Sequence, residues 1–438
     1  MSKNLLLEIG TEEMPANIMS GVVDQLKALA ASQFEAHRIA AENITIYATP
    51  RRLAVLVKGA ADRQPDEEVK KRGPSVKAAF DADGNPTRAA QGFARGQHID
   101  PSELVKEGEY TWAHVVHAGK KVEDVLPELF LSLITGLNFT RSMRWADEEA
   151  HFIRPVRWIV ALCDKEIIPM EFAHVKSGNV SRGHRFLCKE PVVISDPLSY
   201  KETMREAFVI VDQDERREMI RTGLLAVADK LGGHVWHNAD LLEEINYLVE
   251  YPTPLYGRID DEFLKLPVPA VVTPMRDHQR YYPVRNEDGS LMPYFLTVRN
   301  GGTKALENVQ HGNEKVLRAR LDDAKFFFEN DRKKTLEGHR DDLTRINYQE
   351  GMGDMRDKAD RLQKLTEAIG LFDEAIELNP NFAEDYKERG RAKLLNGDKD
   401  GSVEDMKKSL ELNPKEEAGL NGEFKNLGPK PEALPGIF

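Results

Sequence analysis

The chain has 438 residues, 41% of them hydrophobic, with a formal net charge of −12 and two cysteines, Cys163 and Cys188. That length allows two to four domains with real cores, and two distant cysteines indicate neither a disulfide framework nor a thiolate zinc site. No run of eighteen apolar residues develops, so a soluble, cytoplasmic protein of a reducing compartment, with no membrane partner, is expected. The charge argues against indiscriminate nucleic-acid binding, but it is unevenly placed. From Thr366 onward ten Lys or Arg stand against sixteen Asp or Glu, half of the whole excess, which leaves room for a local cationic face upstream.

Leu5 to Ile9 predicts a short strand. Thr11, followed by Glu12, Glu13 and Pro15, predicts a helix start with the carboxylates as caps and a helix running to about His37. Strands at 44–48 and 53–57 flank Thr49-Pro50-Arg51-Arg52, where the two arginines either meet phosphate or pair with acids such as Glu12 or Glu13. Residues 60–96 are polar and punctuated by glycine and proline, as in a connection or small insertion, and Gly92 to Gly96 lacks the setting of a phosphate-cradling loop. A strand at 111–116 and a helix at 122–133 follow.

Between Ser142 and Leu162, Arg144, Arg154 and Arg157 interleave with Trp145 and Trp158. This composition suits stacking on bases or a structural cation–π contact at a domain joint. Arg182-Gly183-His184-Arg185 is a compact cationic turn whose histidine reads as structural. Residues 197–250 are mostly helical. Glu215, Arg216 and Arg217 are expected on a solvated face, Leu241, Leu242, Ile245, Leu248 and Val249 in an apolar stripe, and Gly232-Gly233 as a break.

The closest packing of polar, cationic and aromatic residues runs from Met275 to Lys334. Tyr281 to Val284 and Tyr294 to Val298 flank an Asp288-Gly289 turn and read as a hairpin. Leu317, Leu321, Ala324 and Phe328 recur at helical steps, with Asn313 as N-cap and Glu314 in the first turn. Two readings fit. One is a hairpin packed on an amphipathic helix with a solvated charged face. The other is a surface that grips an anionic polymer through its cations, with Tyr281 and Tyr282 free to stack. Spacing does not choose between them. The stretch contains no Walker loop, the histidines form no recognisable metal-ligand set, and no serine or cysteine sits in a nucleophile motif, so no catalytic or metal residue is assigned.

MRDHQRYYPV at 275–284, VRN at 298–300 and GNEKVLRARLDDAKFFFENDRKK at 312–334 are accompanied upstream by LLLEIGTEEMP (5–15), ATPRRLAV (48–55), KRGP (71–74), AAQGFARG (89–96), SMRWADEEAHFIRPVRWIVAL (142–162) and SRGHRF (181–186). In this order they resemble the beta subunits of bacterial glycyl-tRNA synthetases of the α2β2 kind, over about residues 1–365. The resemblance implies a glycine-tRNA ligase subunit that binds tRNA(Gly) and presents it to an alpha subunit, which forms the glycyl-adenylate. ATP and Mg2+ then serve the complex, with no site found in this chain. The tRNA-binding candidates are Arg276, His278, Arg280, Tyr281, Tyr282, Arg318, Arg320, Lys325, Arg332 and Lys333, with Arg51, Arg52, Arg144, Arg154, Arg157, Arg182 and Arg185 as secondary candidates. The family's central portion is similar to the domain that carries editing in phenylalanyl-tRNA synthetase beta subunits, but no residue set here supports hydrolysis.

Family beta subunits run on through an HD-type helical domain to an anticodon-binding domain, and neither is expected here. From Leu365 the text departs: Glu377-Leu378-Asn379-Pro380 recurs as Glu411-Leu412-Asn413-Pro414, an offset of 34 residues and the tetratricopeptide period. Roughly three such repeats bury a continuous face, so one repeat is either a peptide-binding module with a peptide partner or a fused tail without a task. The fold expected is a multidomain mixed α/β (α+β) body of mixed sheets and packed helices with a short all-α tail. Its expected parts are an N-terminal α/β domain (1–140), a central α/β domain (141–335), a helical lead-in (336–365), tetratricopeptide-like helices (366–418) and a flexible tail (419–438). The rival to the ligase reading is a scaffold acting through those helices, or an inactive fusion product.

Overall fold

A computed structural model describes residues 2–81, 84–145 and 149–414, so the proposed tail at 419–438 lies outside the described residues. The chain divides into two compact units, Met1–Lys325 and Phe326–Phe438. The class is the mixed α/β, multidomain one expected.

In the first unit, β1 (Ser2–Thr11) carries Leu5-Leu6-Leu7-Glu8-Ile9, all sealed from solvent. Side chains alternate along a strand, so a run buried throughout must lie within a sheet covered on both faces. The helix α1 (Ala16–Ala36) leads to a hairpin of β2 (Ala41–Thr49) and β3 (Arg52–Ala61), turned by Pro50-Arg51. Next come β4 (Glu67–Ser75), α2 (Val76–Ala79), α3 (Arg88–Gly96), β5 (Val105–Glu107) and β6 (Tyr110–His117). The three strands form their own sheet in the order β4-β6-β5, so the segment expected as a connection or small insertion contributes to a small separate sheet.

The helix α4 (Val122–Thr135) returns the chain to β7 (Val156–Cys163), after which β8 (Glu166–Ile167), β9 (Glu171–Phe172) and β10 (Val175–Gly178) complete a seven-stranded sheet. Its order is β2-β3-β1-β7-β10-β9 with β8 on β7, and β10 runs parallel to β7. On one face Leu5, Leu7 and Ile9 pack with Met19 and Leu26 of α1 and Leu126 and Phe130 of α4. A pair, β11 (Val180–Arg182) and β12 (Pro191–Val193), precedes α5 (Tyr200–Glu206). On the second face Leu6, Leu56, Trp158 and Val160 pack against Tyr200 and Met204 of that helix.

Then follow α6 (Gln213–Lys230), β13 (His234–Val235), α7 (Ala239–Asn246), β14 (Pro252–Arg258), α8 (Val268–Thr273), β15 (Tyr282–Arg285), β16 (Leu291–Asn300) and α9 (Leu306–Asp331). The sheet β13-β15-β16-β14 packs Tyr282 and Leu296 on Ile220 and Leu224 of α6. In the second unit, α10 (Leu336–Arg340) and the short pair β17 (Asn347–Gln349) and β18 (Gly353–Asp354) lead into α11 (Met355–Leu378), which Asp354 caps. The helices α12 (Ala383–Leu395) and α13 (Lys399–Leu412) form an antiparallel pair. Arg389 joins them, donating to Asp405 (2.8 Å) and to Asp373 of α11 (2.7 Å).

Three local expectations fail. The strand β1 runs on to Thr11 and Pro15 is the N-cap of α1, whose first turn holds no carboxylate, so Glu12 and Glu13 are not caps. The helix α9 begins at Leu306 instead of after Asn313, since one glycine, at a cost of about 1 kcal/mol, does not break a long helix whose Leu317 and Leu321 are buried. Arg216 is not on a solvated face: it is wholly buried, donating to the carbonyls of Asn246 (2.9 Å), Ile210 (2.6 Å) and Ala48 (2.8 Å). Burial pushes its guanidinium down to about 10, and it stays charged at neutral pH. Because Arg216 ties the end of β2 to two segments more than thirty residues away from each other, Arg216→Met strands three buried carbonyls. Its urea midpoint should fall by an amount equivalent to about 3 kcal/mol or more, whereas Arg221→Met, which loses only an exposed pair with Glu218, should shift by less than about 1 kcal/mol.

Candidate nucleic-acid interface

The central stretch folds as one π-helical turn (Pro274–His278) followed by the β15–β16 hairpin. Tyr281 and Tyr282 are only 5% and 2% exposed. Tyr281 stacks on Phe295 with ring centroids 4.5 Å apart, and Tyr282 belongs to the core under α6. Burial raises the Tyr281 phenol to about 12. These rings are therefore not available to stack on bases, which corrects the reading made from their place beside arginines. Tyr282 opens β15 and joins the core under α6, while Tyr281, the residue before the strand, turns to Phe295.

The cations of this stretch have met acids. Arg276 pairs with Asp277 (2.6 Å), Arg280 with Glu244 (2.9 Å), Arg318 with Asp260 (2.7 Å) and Lys325 with Glu262 (2.6 Å). Each pair lies at the surface, where such contacts are worth about 0–1 kcal/mol and exchange readily for other anions. His278 is exposed beside them. Arg320 is exposed on α9 with no ion pair among the described residues. In the second unit Arg332 lies over the Phe328 ring (5.5 Å), and Lys333 is exposed.

The secondary candidates surround a buried network instead. Arg52 is fully buried and donates to Glu250 (3.0 and 3.1 Å), Thr49 (3.3 Å) and the carbonyl of Arg182 (2.8 Å), with Glu8 at 3.8 Å. Of the two readings of this arginine, pairing with acids is realised, but with Glu8 and Glu250 instead of Glu12 or Glu13. Those two carboxylates take Arg157 (3.4 Å) and Arg185 (2.9 and 3.4 Å), and Arg154 donates to the carbonyl of Glu13 (3.1 Å). Arg144 is exposed. His184 is buried and structural, as expected: its Nε2 is 2.9 Å from Asn300 Oδ1, and Nδ1 accepts from two backbone amides.

Trp158 makes structural cation–π contacts, not with the arginines interleaved beside it in sequence but with the guanidiniums of Arg51, Arg52 and Arg182, at 5.6, 5.5 and 5.1 Å from its ring centre. Its indole N–H and the Tyr200 hydroxyl donate to Glu8, which also accepts from Ser181 (2.5 Å). The ring lies so close to β1 that a Cβ at Gly10 would fall 1.9 Å from it, which accounts for glycine there. Glu8 and Glu250 were missed from sequence. The legible signal was Glu8 inside an unbroken apolar run, since a carboxylate so placed must be buried and partnered.

A family model described as Glycyl-tRNA synthetase beta subunit matches residues 5–396. The chain belongs to this family. It is 46% identical over 373 residues to the glycine-tRNA ligase beta subunit of Desulfitobacterium hafniense (strain Y51), covering 84% of this chain and 54% of that protein. The corresponding beta subunit of Natranaerobius thermophilus is 44% identical over 375 residues (84% and 54%), and that of Moorella thermoacetica 43% over 400 residues (90% and 58%). The chain spans about half the length of the curated relatives it matches. The beta-subunit family match also continues past Leu365, where the sequence reading placed a departure, and takes in α12.

Within this beta-subunit body the buried charges generate a pH prediction. Burial alone would raise the Glu250 carboxyl, but the Arg52 charge and the hydrogen bonds from Thr49 and Arg52 hold it below its ordinary value. A depressed folded value means that its stabilisation is present above the unfolded value, near 4.3, and is lost as pH falls through the folded one. Glu250→Gln should cost about 3 kcal/mol at pH 7, and the gap to the wild type should narrow as pH drops below about 4. Urea midpoints across that range check it, and a gap independent of pH would refute the ion-pair account.

Proposed function

We propose that the chain acts as the beta subunit of a heterotetrameric glycine-tRNA ligase, binding tRNA(Gly) and presenting it to an alpha subunit for ATP-dependent glycylation. The observation that carries this reading is the family match across residues 5–396, at 42–46% identity to beta subunits of glycine-tRNA ligases. ATP and Mg2+ belong to the complex. Among the described residues no group of three or more His, Cys, Asp or Glu is placed to hold a metal, so no residue here is assigned to Mg2+. No helix among them is long and apolar enough to cross a membrane, and a cytoplasmic site of action is part of the proposal. The scaffold reading, with its peptide partner, is set aside because the family match itself runs through α12. The finer domain boundaries at 140, 335, 365 and 418 stay part of this proposal.

For tRNA contact we propose Arg320, and in the second unit Arg332 and Lys333, which carry no carboxylate partner among the described residues, with Arg276, His278 and Arg280 joining as surface acids are displaced by phosphate. Arg318 and Lys325 come next, since their acids lie on a neighbouring loop.

Two measurements test the proposal. Purified alpha subunit should charge tRNA(Gly) at least about tenfold faster, about 1.4 kcal/mol in barrier, when this chain is added. Unchanged charging, under conditions where the full-length Desulfitobacterium beta subunit restores it, would overturn the ligase role for this chain. Arg276→Ala combined with Arg280→Ala should weaken tRNA binding and reduce the slope of log affinity against log salt by about 0.7–0.9 per lost phosphate contact. An unchanged slope would leave both arginines with their acid partners only.

A further inference from the structure

A cavity of about 720 Å³ opens beside the buried network, walled by Glu12, Arg51, Trp158, Arg182, Arg185 and the 188–191 loop. Arg51 is only 8% exposed, and its Nε and Nη1 are shut off from solvent with no acceptor. The contrast with its neighbour is sharp, since Arg52 has Glu250, Thr49 and a carbonyl as acceptors. Buried donors are almost always satisfied, so a guanidinium of this kind calls for an acceptor that enters from outside. Glu250 offsets the Arg51 charge from a distance but takes no hydrogen bond from it.

The chemistry of the wall narrows what that acceptor is. Arg182 and Lys189 are exposed cations with no ion pair among the described residues, whereas Glu12 is already engaged by Arg157 and Arg185. Trp158 offers no stacking face, because it is 6% exposed and lies between guanidiniums. Ser181 donates its hydroxyl to Glu8. What remains is a set of N–H donors and positive charge, with exposed Glu190 at the rim as the carboxylate an incoming anion would meet. Guanidinium forks match the oxygens of phosphate in pairs.

We propose that this cavity binds a phosphate group, held by the Arg51 guanidinium with Arg182 and Lys189 at its mouth. Arg51 and Arg182 are among the secondary tRNA-binding candidates, but phosphate binding here does not require the ligase reading, nor that reading this site. A phosphate of this kind comes either from a nucleic-acid backbone or from a free nucleotide, and both present the same oxygens to Arg51.

The test is a calorimetric titration of the full chain with inorganic phosphate at constant ionic strength. Saturable binding is expected, weakened about tenfold or more by Arg182→Gln or Arg51→Met and tightened by Glu190→Gln. Arg182 is exposed, so its variant reports on the site even where Arg51→Met disturbs folding, and Arg51→Lys preserves the charge while removing the fork. Competition then separates the sources. Displacement by tRNA or a short RNA duplex, with AMP and ATP no better than phosphate, assigns a backbone phosphate. Displacement by nucleotide at far lower concentration assigns a free one. Absence of saturable binding, or equal affinity in the folded Arg182→Gln and Arg51→Met variants, overturns the proposal. Absence of saturable phosphate binding by the unaltered chain, with charging by the alpha subunit intact, would reject this cavity and leave the ligase reading standing.

Discussion

Two carboxylates and one guanidinium, none of them touching water, fix how the first unit is assembled. Glu8 comes from the middle of β1, Arg52 from the first residue of β3, and Glu250 from the segment just before β14. None of the three is tolerable alone, because an unpaired charge in such surroundings carries a desolvation penalty of several kcal/mol. Each is acceptable only when the other two are in register, so the large sheet and the segments after α5 must close together. Trp158, Ser181, Thr49 and Tyr200 then take up the remaining donors and acceptors. Arg216 works in the same manner with uncharged partners, three carbonyls drawn from β2, from residue 210 and from the end of α7.

The same economy of charge governs the surface read as a nucleic-acid interface. Four cations of the central stretch each face one carboxylate, so the free protein shows a field there that is much weaker than the arginine content suggests. Exposed pairs of this strength exchange partners at little cost, since phosphate is as good an acceptor as a surface aspartate. Arg320, on α9, has no such carboxylate among the described residues.

Much of the fold could be read from residue order, and most of the failures share one cause. The strand at Leu5–Ile9, the strands β2 and β3, α4 and the Asp288-Gly289 hairpin follow from short-range pattern alone, whereas Pro50 gave no sign that β2 and β3 pair. Leu317 and Leu321 were correctly set on the inner face of α9, although its start was misplaced by the glycine. The errors concern polar groups whose fate depends on distant partners. Arg216 looked solvated because its sequence neighbours are charged. Tyr281 and Tyr282 looked available because they sit beside arginines, and Glu12 and Glu13 looked like caps because a helix follows. Nothing local says that Glu250 would lie against Arg52, 198 residues earlier. The long shared strings with other beta subunits identified the family where spacing left two readings open.

The burial of Arg52 and Glu250 has a consequence for how this molecule meets electrolyte. Mobile ions at physiological strength screen over about 8 Å of solvent, but they do not penetrate a site whose side chains are 0% and 2% exposed. Concentrated salt therefore loosens the exposed pairs of the outer arginines while the inner wiring stays intact. Surface and interior charge in this chain answer to different reagents, the first to ionic strength and the second to acid.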